Sequence, residues 1–234
     1  MNNEKKIAII KSKILNRIII FSGGKMISLI LAAGKGTRMK SEKSKVVHEV
    51  NGVPMVKMVS KLLKNVGIEK SIYILGHRKE EVLATIGEVE YVEQAEQLGT
   101  GHAVLIAKEK IEENKDDVLI TYGDTPLLTE ETINRMKEQF YKENLDCIIL
   151  SCNMKDPFAY GRIIKKDGNV VDVVEEKEAT EEQKKIKEVN TGVYIFKYKS
   201  LIDALKKINN NNVKGEYYLT DTTQIGRASC RERV

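Results

Sequence analysis

The residues best suited to phosphate chemistry lie in a glycine-rich segment near the start of the chain. Gly34-Lys35-Gly36-Thr37-Arg38 follows the apolar run Ile27–Leu31, and Lys45 comes seven residues after Arg38. Glycines allow backbone N–H groups to approach a phosphate without a Cβ in the way. An arginine can hold two phosphate oxygens at once, and a lysine supplies a mobile point charge. The segment predicts a loop that binds a nucleoside triphosphate, with Arg38 and Lys45 as its catalytic cations.

The same spacing excludes two familiar phosphate-binding motifs. A P-loop requires a glycine five residues before its Gly-Lys pair, where this chain has Leu29. The dinucleotide-binding fingerprint requires a third glycine at the position of Met39. A plain strand-ending turn also uses glycines, so the prediction depends on the positions of Arg38 and Lys45.

The elements that must position this loop alternate between strands and helices. Apolar runs predict strands, and apolar residues at helical spacing predict helices. The predicted strands are Ile27–Leu31, Ser71–Leu75, Val89–Val92, Asp117–Tyr122, Cys147–Cys152 and Val193–Phe196. The predicted helices are Pro54–Val66, Lys79–Ile86, His102–Ile111, one capped by Thr129, Ala179–Lys187 and Lys199–Ile208. This order predicts an α/β fold, with a Rossmann-like, mostly parallel mixed sheet and helices on both faces.

Two local features add to this outline. Gly161–Lys165 and Val170–Val174 flank Asp167-Gly168, a pair that favours a tight turn, and predict a small β-hairpin insertion. Asp124 comes just after the predicted strand Asp117–Tyr122, at the edge where open α/β sheets bind ligands. The alternative for Asp124 is a turn-capping residue at a strand end.

The charge distribution separates the two ends of the chain from its middle. The 234 residues include 39 basic and 34 acidic residues, which gives a net charge of +5. Residues 1–25 hold six basic residues against Glu4, and residues 225–234 hold three against Glu232, which leaves the middle at −2. Because a nucleic-acid-binding domain carries its basic patch on one face, we expect no nucleic-acid partner. The 41% of hydrophobic residues excludes a generally disordered chain.

Both ends also differ in character from the domain between them. Residues 1–25 end in Ser-Gly-Gly-Lys before Met26, a sequence that a purine-rich ribosome-binding site ahead of a start codon would encode. The alternative for this segment is a basic amphipathic helix at a membrane surface. Gln224–Val234 resembles the translation of a sequencing-library adapter. We expect both ends to be non-native extensions and residues 26–224 to form a C-terminally truncated domain.

Cysteine usage and hydropathy indicate a cytoplasmic protein. Cys147, Cys152 and Cys230 have the spacing of neither a disulfide framework nor a zinc site. No run reaches the roughly 18 apolar residues of a membrane helix. We therefore expect free thiols in a reducing compartment and no stable membrane insertion.

Six further motifs follow the glycine loop in order and carry a family resemblance. They are Gln94–Ala103, Tyr122–Leu127, Tyr160–Ile163, Val174-Glu175, Asn190–Gly192 and Gly215–Asp221. With the loop, they resemble the sugar-nucleotide pyrophosphorylases, above all the uridyltransferase half of the bacterial bifunctional N-acetylglucosamine-1-phosphate uridyltransferase / glucosamine-1-phosphate acetyltransferases. The resemblance covers about Met26 to Thr223, with Ser44 where the family signature has a proline before its lysine.

The resemblance implies a nucleotidyltransferase that converts UTP and N-acetylglucosamine 1-phosphate to UDP-N-acetylglucosamine and pyrophosphate, for bacterial peptidoglycan synthesis. It implies Mg²⁺ as the cofactor, held by Asp124. The residues implied to hold the nucleotide are Leu31, Ala32, Ala33, Gly34, Lys45, Gln94, Gly99 and Thr100. Those implied to face the sugar or line the same cleft are Tyr122, Gly123, Asp124, Gly161, Glu175 and Asn190.

Two alternatives stay open: a pyrophosphorylase for another sugar or base, and a non-catalytic nucleotide-binding module. The family pattern also has a metal-binding asparagine downstream of Gly215–Asp221 and an acetyltransferase half built on hexapeptide repeats, and this chain ends before both. We therefore expect weak or no turnover from this exact polypeptide. The contacts that make the full-length protein an oligomer are expected in the absent half.

Overall fold

The described part of the molecule alternates strands with helices. A computed structural model describes residues 7–11, 24–166 and 169–223, with backbone alone for residues 7–11, Arg38 and Asn169. Its strands are β1 (Ile7–Lys11), β2 (Met26–Ala32), β3 (Glu49–Val50), β4 (Val53–Pro54), β5 (Lys70–Leu75), β6 (Glu90–Glu93), β7 (Asp117–Tyr122), β8 (Cys147–Asn153), β9 (Arg162–Lys166), β10 (Asn169–Val174) and β11 (Glu188–Phe196). Its helices are α1 (Met55–Asn65), α2 (Lys79–Ile86), α3 (Thr100–Leu105), α4 (Lys108–Asn114), α5 (Glu130–Lys142), α6 (Glu181–Lys184) and α7 (Tyr198–Leu205). Two 3₁₀ turns are at Thr37–Met39 and Lys45–Val47.

Nine strands of the described residues form one mixed sheet. Its order is β1-β8-β11-β7-β2-β5-β6, and the β9–β10 hairpin joins β11 through β9. β2 pairs in parallel with β5 and β7, β5 with β6, and β1 with β8. β11 runs antiparallel to both β7 and β8. The predicted mostly parallel mixed sheet is confirmed.

Each face of the sheet has its own hydrophobic core. Successive residues of a strand point to opposite faces, so Leu29 and Leu31 belong to one cluster and Ile30 and Ala32 to the other. The first cluster includes residues of α3, α4 and α7, and the second includes residues of α1, α2 and α5. Each large apolar side chain buried in this way contributes about 1.5–3 kcal/mol. Burial on both faces explains why the central strands are apolar runs without alternation.

Several predicted elements lie where the sequence places them. α2 and β7 have the predicted bounds. Thr129 caps α5, because its side-chain oxygen accepts a hydrogen bond from the N–H of Thr132 at 3.2 Å. β9 and β10 form the predicted antiparallel hairpin, whose turn residues Asp167 and Gly168 lie outside the described residues.

The predicted helix His102–Ile111 is wrong as a single element, since α3 and α4 divide it. Between them, Ala107 has a ψ of 1° and donates its N–H to the carbonyl oxygen of Val104, three residues back. A helix cannot continue through this conformation. Ala107 and Ile111, four residues apart, both pack in the same core.

The predicted helix Ala179–Lys187 is also too long, because only α6 is helical. Thr180 and Gln183 form a capping box that starts α6, and β11 begins at Glu188. Pro54, predicted in the first helical turn, instead precedes α1 as its N-cap and pairs with Glu49 in the small β3–β4 hairpin.

Strand β1 lies at the edge of the sheet beside β8. Ile7 to Lys11 pair in parallel with Cys147 to Ser151. Isoleucine favours extended backbone because its side chain branches at Cβ. The alternative of an amphipathic helix is therefore wrong for Ile7–Lys11. The expected extension at residues 225–234 lies outside the described residues.

Two observations concern the expected thiols and membrane segments. Cys147 and Cys152 are free, and burial raises the pKa of the Cys147 thiol well above its usual value. Cys230 lies outside the described residues. Among the helices of residues 24–166 and 169–223, none has the length and apolar character required to cross a membrane.

Candidate active site

The carboxyl ends of β2 and β7 open onto a cavity of about 530 Å³. The two strands pair in parallel with Leu31 opposite Tyr122, so the segments that follow them leave the sheet side by side. Ten of the predicted site residues line this cavity: Leu31, Ala32, Ala33, Gly34, Lys45, Gln94, Gly99, Thr100, Tyr122 and Asp124. Open α/β sheets bind their ligands at this kind of edge.

The glycine loop folds back until its backbone touches the stem of Lys45. Gly36 has a φ of +61°, and a Cβ at this position would lie 2.8 Å from the Cβ of Lys45. A side chain at residue 36 would therefore push Lys45 away from the loop. Around Gly34, by contrast, a Cβ would meet no atom within 4 Å, which leaves room for a ligand against the backbone.

Lys45 and Asp124 form an ion pair inside the cavity. Nζ of Lys45 contacts Oδ2 of Asp124, and the two side chains are 43% and 19% exposed. Ion pairs with this much exposure contribute only about 0–1 kcal/mol, so a phosphate or a cation can separate the pair at little cost. Lys45, predicted to bind phosphate, and Asp124, which the resemblance implies as the metal ligand, are thus in contact in the cavity.

Gln94 presents a defined hydrogen-bonding group to the cavity. The residue is 4% exposed, and its Nε2 donates to the carbonyl oxygen of Gly99 and to Nδ1 of His102, both at 3.1 Å. The carbonyl of Gly99 can only accept, which fixes the orientation of the amide and requires His102 Nδ1 to be unprotonated. Because both amide hydrogens are used, Oε1 of Gln94 is left as the acceptor for a ligand.

The segment around Tyr217 closes the cavity beside Gly99 and Thr100. The N–H of Gly101 donates to Tyr217 O at 2.7 Å, and the N–H of Tyr217 donates to Leu98 O at 2.8 Å. The hydroxyl oxygen of Thr100 accepts from the N–H of Leu219 at 3.1 Å. These three hydrogen bonds join residues 98–101 to residues 217–219, which are far apart in the sequence.

Gly161, Glu175 and Asn190 form a second group next to Tyr122. The N–H of Asn190 donates to Gly161 O at 2.9 Å, and Thr220 Oγ1 donates to Glu175 Oε1 at 3.2 Å. Burial raises the pKa of the Glu175 carboxyl, and the hydrogen bond from Thr220 opposes this shift. Burial, with the charges of Glu175 and Asp124, raises the pKa of the Tyr122 phenol. Tyr122 lines the cavity together with Asp124.

The remaining predicted residues lie near the cavity without lining it. Gly161, Glu175 and Asn190 belong to the group just described. Gly123 follows Tyr122 and packs against Val46, since a Cβ at residue 123 would lie 3.1 Å from Cγ1 of that valine. The backbone of Arg38 is in the turn Thr37–Met39, and its side chain is outside the described part of the molecule.

Seven further residues, which the sequence analysis does not name individually as site residues, also line the cavity. They are Gly36, Thr37, Met39, Val46, Gln97, Ala103 and Glu216. The first six lie within or beside the motifs at residues 34–45 and 94–103, so proximity to those motifs could have found them. Glu216 belongs to the motif Gly215–Asp221, but no spacing in the sequence connects that motif with the glycine loop.

Comparison with known proteins places the chain in a family. Residues 28–211 match the family of the MobA-like NTP transferase domain. The chain belongs to this family. It is also similar to the bifunctional protein GlmU of Acetivibrio thermocellus, with 44% identity over 202 residues that cover 86% of this chain and 44% of that protein. The bifunctional protein GlmU of Streptococcus pyogenes serotype M12 is 44% identical over 209 residues, 88% of this chain and 50% of that protein.

This NTP transferase domain spans about half the length of the curated relatives that it matches. Its fold is similar to that of a solved structure from Bacillus anthracis, assigned as a glucose-1-phosphate thymidylyltransferase and bound to sucrose. That match has a TM-score of 0.71 and 20% identity, and covers 87% of this chain and 83% of the other. The predicted nucleotidyltransferase-type fold and the family resemblance are both confirmed.

Proposed function

We propose that the domain transfers the uridylyl group of UTP to N-acetylglucosamine 1-phosphate, giving UDP-N-acetylglucosamine and pyrophosphate for cell-wall precursors. The observation that carries the proposal is the meeting of Lys45 and Asp124 in the cavity between the ends of β2 and β7, beside the glycine loop. The 44% identity to bifunctional GlmU proteins supports the choice of base and sugar.

The arrangement suits an in-line displacement. An oxygen of the sugar phosphate attacks the α-phosphorus of UTP, and the bond from the α-phosphorus to the bridging oxygen of pyrophosphate breaks. Such a reaction needs positioning and charge neutralisation and no covalent nucleophile on the protein. Lys45 and Arg38 would neutralise the phosphate charge, Gln94 would accept from the base, and Glu175 and Asn190 would hold the sugar hydroxyls.

Asp124 fits the proposed Mg²⁺ cofactor as a single protein ligand. Its carboxylate lines the cavity, and Mg²⁺ is commonly held by one or two carboxylates together with phosphate oxygens and water. Within the described residues, no group of three or more His, Cys, Asp or Glu side chains is placed to hold a metal. Bound there, Mg²⁺ would neutralise charge on the triphosphate. Phosphate oxygens of the nucleotide and water would supply further ligands.

Nucleotide binding and pyrophosphate release both test the proposal on this chain. Calorimetric titration with UTP in the presence of Mg²⁺ should give saturable binding, and CTP, TTP and ATP should bind more weakly. Pyrophosphate release with enzyme in excess should depend on N-acetylglucosamine 1-phosphate and exceed that with glucose 1-phosphate. Preference for another base or sugar would indicate a different pyrophosphorylase. UTP binding without any pyrophosphate release would indicate a nucleotide-binding module.

A further inference from the structure

The residue before Lys45 is anchored by a carboxylate from another element. Ser44 is 1% exposed, and its backbone N–H donates to Oε2 of Glu81, in the first turn of α2, at 2.8 Å. A hydrogen bond to an ionised carboxylate is stronger than one between neutral groups. The anchor therefore connects α2 with the cavity wall through one buried N–H group.

Only the backbone of Ser44 takes part in this anchor. Its Oγ is buried and has no hydrogen-bond partner among the described residues. Its carbonyl oxygen accepts from the N–H of Val47 at 3.1 Å, which starts the turn that carries Lys45. Val46 and Val47 then enter the hydrophobic core. The backbone of Lys45 is thus held between a polar anchor on one side and buried valines on the other.

The position of Lys45 depends on the backbone at residues 44–45, because its side chain packs beside the glycine loop and also contacts Asp124. The stem of Lys45 lies beside Gly36, since a Cβ added to Gly36 would be only 2.8 Å from the Cβ of Lys45. The same side chain must reach Asp124 across the cavity. A displacement at Ser44 would either press Lys45 into the glycine loop or withdraw its Nζ from the phosphate site.

Glu81 is itself well placed to hold this bond. A carboxylate in the first turn of a helix is stabilised by the helix dipole. Nη1 of Arg78 lies 4.0 Å from Oε2 of Glu81, and the Glu81 side chain is 31% exposed. The neighbouring Glu80 is exposed, lies in the same helical turn and is acidic like Glu81. Among the described contacts it makes none to Ser44, so it serves as a matched control.

We propose that Glu81 is a positioning residue, which holds the Ser44 N–H and thereby fixes Lys45 at the triphosphate site. Its catalytic consequence rests on the proposed function. Glu81 acts through the backbone and does not touch the substrate. Proline at residue 44 offers a second way to hold the same conformation, because Ser44 has a φ of −56° and a ψ of 136°, which proline adopts without strain.

The test compares Glu81→Ala, Glu80→Ala and the double variant Ser44→Pro/Glu81→Ala. Glu81→Ala should weaken UTP binding about tenfold, because the buried N–H loses its acceptor. Glu80→Ala should bind UTP within about twofold of the wild-type chain. The double variant should recover most of the lost UTP affinity, because proline has no N–H to leave unpaired and its ring fixes φ. An equal loss in the double variant and in Glu81→Ala would overturn the proposal.

Amide hydrogen exchange separates this proposal from the proposed function. In the wild-type chain the Ser44 N–H should be protected, and Glu81→Ala should increase its exchange rate about tenfold while Glu80→Ala leaves it unchanged. This measurement needs no nucleotide, so it decides the anchor even if UTP does not bind. Unchanged Ser44 exchange in Glu81→Ala would overturn the anchor. Lack of UTP binding by the wild-type chain would instead count against the proposed function.

Discussion

Gly99→Ala should damage both the stability of the domain and its nucleotide site. Gly99 has a φ of 106° and a ψ of 173°, a conformation that costs residues with a side chain about 1–3 kcal/mol. A Cβ at this position would also lie 2.5 Å from the carbonyl oxygen of Tyr217. Because that oxygen belongs to the backbone of the segment closing the cavity, relief requires the segment to move. Such overpacking costs about 1–3 kcal/mol more.

Gly87→Ala is the matched control for this prediction. Gly87 has a φ of 84° and a ψ of −159°, close to the conformation of Gly99, but a Cβ there would meet no atom within 4 Å. Gly87→Ala should therefore lower the free energy of unfolding by about 1–3 kcal/mol, the cost of the backbone conformation alone. Gly99→Ala should lower it by about 2–6 kcal/mol, because the clash adds to that cost. For a domain of this size, 1 kcal/mol lowers the Tm by about 2–4 °C. Gly99→Ala should melt about 2–12 °C below Gly87→Ala.

Calorimetric melting and UTP titration measure the two consequences. At a temperature where both variants are folded, Gly99→Ala should bind UTP at least about tenfold more weakly than the wild-type chain. Gly87→Ala should bind it normally, since Gly87 does not line the cavity. Equal melting temperatures for the two variants would refute the clash with Tyr217. Normal UTP binding by Gly99→Ala would refute the role of the closing segment.

Three further predictions concern charge and hydrogen bonding. Lys45→Ala and Arg38→Ala should each lower the rate of pyrophosphate release about 10²–10³-fold in single-turnover assays, and near-normal rates in both would contradict their role. Burial, followed by nearby carboxylates, raises the pKa of Asp221 to about 6. The folded state therefore binds this proton more tightly than the unfolded state, and stability should fall as the pH rises from about 4 to 6. Asp221→Asn should unfold at higher denaturant concentration than the wild-type chain above pH 6 but not below pH 4, and a pH-independent difference would contradict this. His102→Leu should weaken UTP binding, because it leaves one N–H of the Gln94 amide unpaired. His102→Asn can still accept that hydrogen bond and should keep the UTP affinity of the wild-type chain. Equal losses of UTP affinity in the two variants would contradict a role of His102 in orienting Gln94.

The glycine loop could be predicted because its chemistry is local. Gly34–Arg38 directly follows a buried strand, and this order alone indicates a backbone that can approach a phosphate. The short distance to Lys45 likewise limits where that side chain can lie. The strand and helix pattern also follows from nearest neighbours, which is why β7 and α2 have the predicted bounds. The break at Ala107 could not be predicted in this way, because the apolar residues of His102–Ile111 keep helical spacing across it.

The contacts between distant segments depend on the tertiary structure. The sequence by itself determined that this chain has an α/β nucleotide-binding fold, with a cationic glycine loop and an acidic strand end, because those features arise within short windows of residues. The pairing of β2 with β7 and the packing of the turn Lys45–Val47 brought Lys45 and Asp124 together. Packing also placed Glu81 on the Ser44 N–H and the Tyr217 segment against Gly99. The types of the residues in these contacts do not indicate which groups they contact. Their pairing follows from how strands and helices stack, which the whole chain decides.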